Sequence, residues 1–171
     1  PVWSPDSRYI YFIRWNDQTL ASIRRVKQQG GKSEQLNRQT GQYTELSISV
    51  DGQTLAYRKL KGGSFLSPDW GQKPGIYLMD IKTRDAQFVG DQGSLPRLTA
   101  DGRVMVQDRQ SGVGRGSSSA NTQLLSMTRD GLDVRVVAES EFATRLLPSP
   151  NSRYLAFLEN HQVYVTMLAK T

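Results

Sequence analysis

The segment Ser49-Val50-Asp51-Gly52 carries a turn signature, and the apolar run Thr54-Leu55-Ala56-Tyr57 follows it almost at once. Asp-Gly between two extended runs predicts a hairpin with a primed turn, which places positive φ at the central residues. The same signature begins at residues 4, 49, 99 and 149, so it recurs every 45 to 50 residues along the chain. A period of this length predicts a repeat architecture.

All four signatures place an Asp or an Asn in the same position, followed by Gly or Ser. These side chains accept hydrogen bonds from the backbone just ahead of them, which favours tight turns. We therefore assign them a structural role, not a catalytic one, because whole repeats separate the carboxylates. The predicted turn residues are Asp6, Asp51, Gly52, Asp101, Gly102 and Asn151.

Each repeat has room for four short strands. In the second repeat the apolar runs predict strands at 43–48, 54–60, 75–81 and 86–89. Four antiparallel strands in about 45–50 residues is the spacing of a β-propeller blade. The sequence therefore predicts an all-β propeller, with blades at approximately 1–42, 43–92, 93–142 and 143–171.

The fourth predicted blade has three strands, so about three and a half blades are present. Closed propellers typically have about four to eight blades. We therefore expect a partial or open propeller that belongs to a larger one, or that self-associates through its open blade edges.

Composition narrows the class of protein. The chain has 171 residues, a formal charge of +6 and no cysteine, which excludes disulfides and thiolate metal sites. Lys and Arg are scattered, which favours solvated strand faces over a nucleic-acid site. No apolar run is long enough for a membrane span, and no signal peptide is recognisable.

Catalytic chemistry has little support in the residues. His161 is the one histidine, and a Gly-x-Ser-x-Gly nucleophile motif is absent. The glycine-rich stretch 111–116 lacks the Gly-Lys-Ser/Thr ending of a phosphate-binding loop. We expect no catalytic, metal-binding or cofactor-binding residue in this chain.

Binding is the remaining function, and two long inserts carry the candidates. Segments 61–73 and 110–122 each connect the second and third strands of a blade, so both should emerge on one face of the propeller. Trp3 and Trp15 flank strands and are expected to pack between blades. The candidate interaction residues of the inserts are Lys61, Phe65, Trp70, Lys73 and Arg115.

The repeat resembles the TolB-like propeller repeat family. The family consensus is an aromatic residue, Ser-Pro-Asp-Gly, a spacer and an apolar strand. Segment 2–10, Val-Trp-Ser-Pro-Asp-Ser-Arg-Tyr-Ile, is close to it, and segment 147–155, Leu-Pro-Ser-Pro-Asn-Ser-Arg-Tyr-Leu, is nearly so. A narrower likeness covers 57–77, with Gly62-Gly63, Trp70 and Pro74-Gly75-Ile76-Tyr77, and continues at 95–102. It is similar to the propeller region of secreted bacterial amidohydrolases.

The narrower resemblance implies a non-catalytic scaffold, gating or protein-interaction domain of a periplasmic or secreted amidohydrolase. A metal-dependent catalytic domain, with a divalent metal, would then follow Thr171. The alternative is a TolB-type interaction module of the cell-envelope Tol–Pal system, and the repeat also occurs beside serine peptidases. The partners implied are proteins: the remaining blades, an attached catalytic domain or envelope proteins.

Overall fold

The computed structural model describes residues 1–39, 41–60, 73–110 and 121–168. Over these ranges the regular structure consists of short strands, and no helix is present. In chain order the strands are β1 (Val2–Trp3), β2 (Tyr9–Arg14), β3 (Ser22–Lys27), β4 (Glu34–Gln35), β5 (Tyr43–Ile48), β6 (Thr54–Lys59), β7 (Gly75–Asp80), β8 (Ala86–Gly90), β9 (Ser94–Leu98), β10 (Val104–Gln110), β11 (Asn121–Met127), β12 (Arg135–Ser140), β13 (Arg145–Pro148), β14 (Tyr154–Glu159) and β15 (Gln162–Met167).

The strands form four antiparallel sheets, and each strand pairs with its neighbours in sequence. Blade 1 has the order β1-β2-β3-β4, blade 2 β5-β6-β7-β8 and blade 3 β9-β10-β11-β12. Blade 4 has three strands in the described residues, β13-β14-β15. The predicted all-β propeller is confirmed, with three complete blades and one three-stranded blade.

Successive blades pack through three apolar clusters. Tyr11 and Ile23 of blade 1 belong to the same buried cluster as Leu55 and Tyr57 of blade 2. Ala56, between these two residues of β6, belongs instead to the cluster shared with blade 3. Because alternate side chains of a strand point to opposite faces, a blade covered on both sides needs an almost continuous apolar strand. That requirement explains the buried run at the start of β6.

The third cluster joins blades 3 and 4. Met105 and Leu124 of blade 3 share it with Leu146 and Leu155 of blade 4, and all four side chains are buried. No strand pair joins blade 4 to blade 1 with comparable packing in the part of the chain that the structure describes. Among the described residues, the three apolar clusters thus join blade 1 to blade 2, blade 2 to blade 3 and blade 3 to blade 4.

An aromatic row crosses blade 2, with one ring from each strand. The ring centroids of Tyr43 and Tyr57 lie 5.4 Å apart, those of Tyr57 and Tyr77 5.7 Å, and those of Tyr77 and Phe88 5.4 Å. Burial raises the pKa of Tyr57, the most enclosed of these phenols. Such cross-strand ring contacts stabilise a sheet beyond the area that they bury.

The first turn of each blade differs from the primed turn expected from the sequence. The amide of Gly52 donates to the carbonyl of Ser49 at 2.9 Å, and Gly52 has a φ of 71°, whereas Asp51 does not have positive φ. Ser7, Gly102 and Ser152 repeat this geometry. A two-residue primed turn needs left-handed residues to reverse the chain. Here four residues separate Ser49 from Thr54, so the chain reverses with a single left-handed residue, the last of the turn signature.

The expectation that two tryptophans pack between blades is wrong. Trp3 is 55% exposed and Trp15 is 50% exposed. On β1 it is Val2, not Trp3, that packs against the cluster shared with blade 2, so alternation turns Trp3 to the uncovered face of blade 1. Trp15 lies beyond the end of β2, where its Nε1 donates to Asp17 at 2.7 Å.

Candidate functional site

A side-chain network organises the turn between the first two strands of every blade. In blade 2, Ser49 Oγ donates to the carboxylate of Asp51 at 2.5 Å and accepts from the amide of Thr54 at 2.9 Å. Asp51 also accepts from the amide of Gln53 at 3.0 Å. The side chains of Asp6, Asp101 and Asn151 accept from their own Ser or Thr in the same way. In the structure these four side chains therefore support the backbone of their own turns.

The turn network has a fifth copy that the sequence reasoning missed. Thr128 donates to the carboxylate of Asp130, and the amide of Leu132 donates to Thr128 Oγ1 at 3.1 Å. This turn joins the third and fourth strands of blade 3. Its sequence Thr128-Arg129-Asp130-Gly131 has the same pattern as Thr99-Ala100-Asp101-Gly102, so the signal was present in the chain.

The turn aspartates link stability to pH. The hydroxyl of Ser49, followed by the amide of Gln53, lowers the pKa of Asp51. A carboxylate with a lower pKa in the folded than in the unfolded state stabilises the fold above its unfolded pKa, about 3.9. That stabilisation is lost as the pH falls through the folded pKa.

We expect Asp51→Asn to flatten the pH dependence of stability without a large loss at pH 7. Asn151 already makes the equivalent bonds in blade 4, accepting from Ser149 Oγ at 2.7 Å and from the amide of Arg153 at 3.2 Å. Urea unfolding at pH 7 and pH 3 measures the effect. Asp91→Asn, at an exposed carboxylate without a side-chain bond among the described residues, should keep the wild-type profile. Identical profiles for all three proteins would contradict the assignment.

The first strands of all four blades meet at a cavity of about 190 Å³. Because the lining includes turn residues, this cavity lies at the end of the propeller where first and second strands connect. Its wall is mostly apolar, with a few hydroxyl groups and one charged side chain. The lining residues are Val2, Ser47, Ile48, Val50, Arg97, Leu98, Thr99, Pro148, Ser149 and Pro150.

Arg97 is the charged residue of the cavity wall. Its side chain lines the cavity and is partly exposed to solvent. Burial, with a smaller contribution from the nearby Arg145, lowers the pKa of its guanidinium. Neither arginine side chain has a hydrogen-bonded or ion-paired partner among the residues that the structure describes. A cation with a like charge nearby and no ion-paired carboxylate favours the binding of an anionic group.

The strands beside Arg97 are held by bonds between blades 2 and 3. Ser47 Oγ donates to the carbonyl of Pro96 at 2.5 Å. The carboxylate of Glu45 accepts from the amide of Leu95 at 2.6 Å and lies 3.4 Å from Arg58. These buried and half-buried bonds fix the position of β9 and therefore of Arg97. A site whose backbone is held in advance binds a ligand at a lower entropic cost.

Of the insert residues predicted as an interaction surface, the structure describes one, Lys73. Lys61, Phe65, Trp70 and Arg115 fall outside the described residues. Lys73 is described: it is exposed, and its carbonyl accepts from the hydroxyl of Tyr77 at 2.6 Å. The six residues of β6 separate the end of blade 2 that carries Lys73 from the cavity by about 20 Å. The structure therefore does not bring Lys73 into the cavity.

No histidine or carboxylate cluster suited to a metal is present in the described residues. His161 is exposed in the turn between β14 and β15, with a φ of 63°. Across the described ranges we also find no helix with the length and apolar character needed to cross a bilayer.

The chain is a β-propeller structure, because its four sheets are arranged with their first strands around a shared cavity. No protein-family model matches the sequence, and no curated protein matches it. The similarity to known proteins lies in solved structures, all at low sequence identity.

Two of these structures are TolB proteins. TolB from Acinetobacter baumannii matches with a TM-score of 0.70 and 19% identity, over 97% of this chain and 40% of that chain. A protein described as TolB from Agrobacterium tumefaciens matches with a TM-score of 0.69 and 17% identity, over 96% of this chain and 59% of the other. Oligogalacturonate lyase from Vibrio parahaemolyticus matches with a TM-score of 0.62 and 12% identity, over 92% of this chain and 44% of that chain. The chain thus spans between two fifths and three fifths of the length of these proteins.

Proposed function

We propose that this chain is a non-catalytic protein-interaction propeller domain, and that its cavity binds an extended, acidic segment of a partner protein. The observation that carries the proposal is Arg97, a cation whose side chain has no ion-paired carboxylate among the described residues, in the wall of a mostly apolar cavity. A peptide carboxylate supplies the missing charge. The apolar lining accommodates neighbouring side chains of the same segment.

The fold supports a role in binding, because the four first strands hold the cavity wall rigidly and present it at one end. Likeness to the two TolB structures favours the cell-envelope module over the amidohydrolase scaffold or gate. We accordingly propose a periplasmic location for the domain. The amidohydrolase parent stays a prediction from the sequence, and reading the gene beyond Thr171 tests it.

We expect the domain to select acidic peptides from an array of immobilised 12-residue sequences that differ in charge. Arg97→Glu should reduce binding to the selected peptides by at least about tenfold, because it replaces attraction by repulsion at the cavity wall. Fluorescence anisotropy with one selected peptide measures the change. Selection of basic peptides by the wild type would contradict the proposal.

The matched control is Arg153→Glu. Arg153 is exposed and lies in the first turn of blade 4, outside the cavity lining. Arg153→Glu changes the net charge by the same amount as Arg97→Glu. A loss of peptide binding that comes only from overall electrostatics would therefore be equal in the two variants. Equal binding by both variants would refute the role of Arg97.

A further inference from the structure

Lys59, the last residue of β6, is a buried lysine whose charge the described protein groups leave unpaired. Only 7% of its surface is exposed. Its ammonium has no hydrogen-bonded or ion-paired partner among the residues that the structure describes. Lysine is almost never buried to this extent unless its charge is paired, because a buried charge is costly. The structure therefore holds a positive charge that a negative group from outside these residues can compensate.

The side chain of Lys59 lies between blades 1 and 2. It is on the same face of β6 as Tyr57, which belongs to the apolar cluster shared by these blades. Lys59 stands opposite Tyr43 in the pairing of β5 with β6, and its Cε lies 3.5 Å from the point that a Cβ on Gly41 would occupy. A backbone bridge joins Gly41 to Ala21 of blade 1. The aliphatic part of the lysine is therefore packed against the segment that connects the two blades.

The ammonium of Lys59 remains accessible to a small solute. Among the described residues, the buried side-chain atoms that lack both a partner and solvent contact belong to Asn121, Thr122 and Ser152, not to Lys59. Lysines commonly bury their stem in this way and keep the amine at the surface. Burial lowers the pKa of this ammonium, and no charged group contributes to the change. No carboxylate of the described residues thus competes with a dissolved anion for the amine.

Other cations of the same two blades are paired within the protein. Arg25 lies 2.8 Å from the carboxylate of Glu34, and Arg84 of blade 2 ion-pairs with that same carboxylate across the blades. Arg38 lies 3.3 Å from Asp85. These arginines already have their counter-charges, so the contrast singles out Lys59 as the place for a dissolved one.

We propose that Lys59 binds a small monovalent anion of the size of chloride between blades 1 and 2. One ammonium balances one negative charge, and no second cation acts on Lys59. The small exposed fraction of the residue admits a compact ion and excludes an extended acidic chain. Pairing with the ion offsets the cost of the buried charge. The site is independent of the cavity at Arg97, because Lys59 and the first turn of blade 2 lie at opposite ends of β6.

The probe is chloride, titrated into the isotope-labelled protein and followed by the chemical shifts of its backbone amides. Sodium gluconate, whose anion is much larger, keeps the ionic strength constant. We expect saturable shifts at the amides of Gly41 and Lys59. Lys59→Met removes the charge and keeps the length of the side chain, so the shift at Gly41 should disappear. Lys27→Met, at an exposed lysine at the end of β3, should keep it.

Thermal melts give a second measurement. At a chloride concentration about ten times the Kd, the melting temperature of the wild type should rise by roughly 3 to 6 °C, and Lys59→Met should lose this rise. Without chloride, Lys59→Met should melt at or above the wild-type temperature, because apolar atoms replace a buried charge. The proposal is overturned if the wild type shows no saturable shift at Gly41, or if Lys59→Met shows the same shift as the wild type.

Discussion

Gly131→Ala is expected to lower the melting temperature by roughly 4 to 16 °C, at about 2–4 °C per kcal/mol for a chain of this size. Gly131 has a φ of 80°, and an added Cβ would overlap the carbonyl oxygen of Val89. Val89 belongs to the fourth strand of blade 2, so the clash forces blades 2 and 3 apart. A left-handed alanine costs about 1 kcal/mol, and the overlap adds about 1–3 kcal/mol.

Gly102→Ala is the matched control for the packing of these two blades. Gly102 has a φ of 84°, and a Cβ there would meet no atom within 4 Å. In this variant the only destabilising effect is the strain of a left-handed alanine, which corresponds to a fall in melting temperature of roughly 2 to 4 °C. Circular dichroism melts of both variants isolate the contribution of the contact with Val89. Equal falls would show that the two blades tolerate the added methyl group.

Gln107→Ala is expected to destabilise blade 4 by about 1–3 kcal/mol, because it leaves the buried amide of Leu146 without a partner. Gln107 is a buried residue of β10, and its side chain accepts one hydrogen bond from blade 4 and donates another to it. Its Oε1 accepts from the amide of Leu146 at 2.9 Å, and its Nε2 donates to the carbonyl of Thr144 at 3.2 Å. Hydrogen exchange of the amides of β13 to β15 should quicken, while that of blade 2 stays close to the wild-type rate.

The control for this prediction is Gln87→Ala. Gln87 is exposed, and its Nε2 donates to the carbonyl of Arg129 at 3.3 Å, so it also joins neighbouring blades. Water replaces this exposed bond, and we expect a change below about 0.5 kcal/mol. A similar change in exchange for the two variants would mean that burial of Gln107 does not determine the strength of its bonds.

The strands could be predicted from the sequence because their signals are local. The signature that begins at Ser49 and the apolar run that ends at Tyr57 mark a turn and a strand within nine residues. The same signature occurs at three other places, 45 to 50 residues apart, and this repetition supports each assignment. The three-stranded fourth blade followed from the same count. Turn type was wrong because it depends on loop length, and the loop length depends on the hydrogen-bond register.

The cavity could not be predicted, because its properties depend on contacts between blades. Arg97 is one of many scattered arginines in the sequence, and its isolation from carboxylates appears only when β5, β9 and β13 are brought together. The exposure of Trp3 depends in the same way on which face of β1 packs against blade 2. The sequence of a strand shows which side chains lie on the same face of the sheet. It does not show which of the two faces a neighbouring blade covers.

The pairing of every strand with its neighbour in sequence has a consequence for how the chain acquires its structure. Hairpins such as β6–β7 and β14–β15 close from segments near one another, so the contact order within each blade is low. Each blade then docks only on the blade before it, and stability is close to a sum of nearest-neighbour contributions. A polypeptide of this kind can form its blades one after another as it leaves the ribosome, without waiting for its last residues.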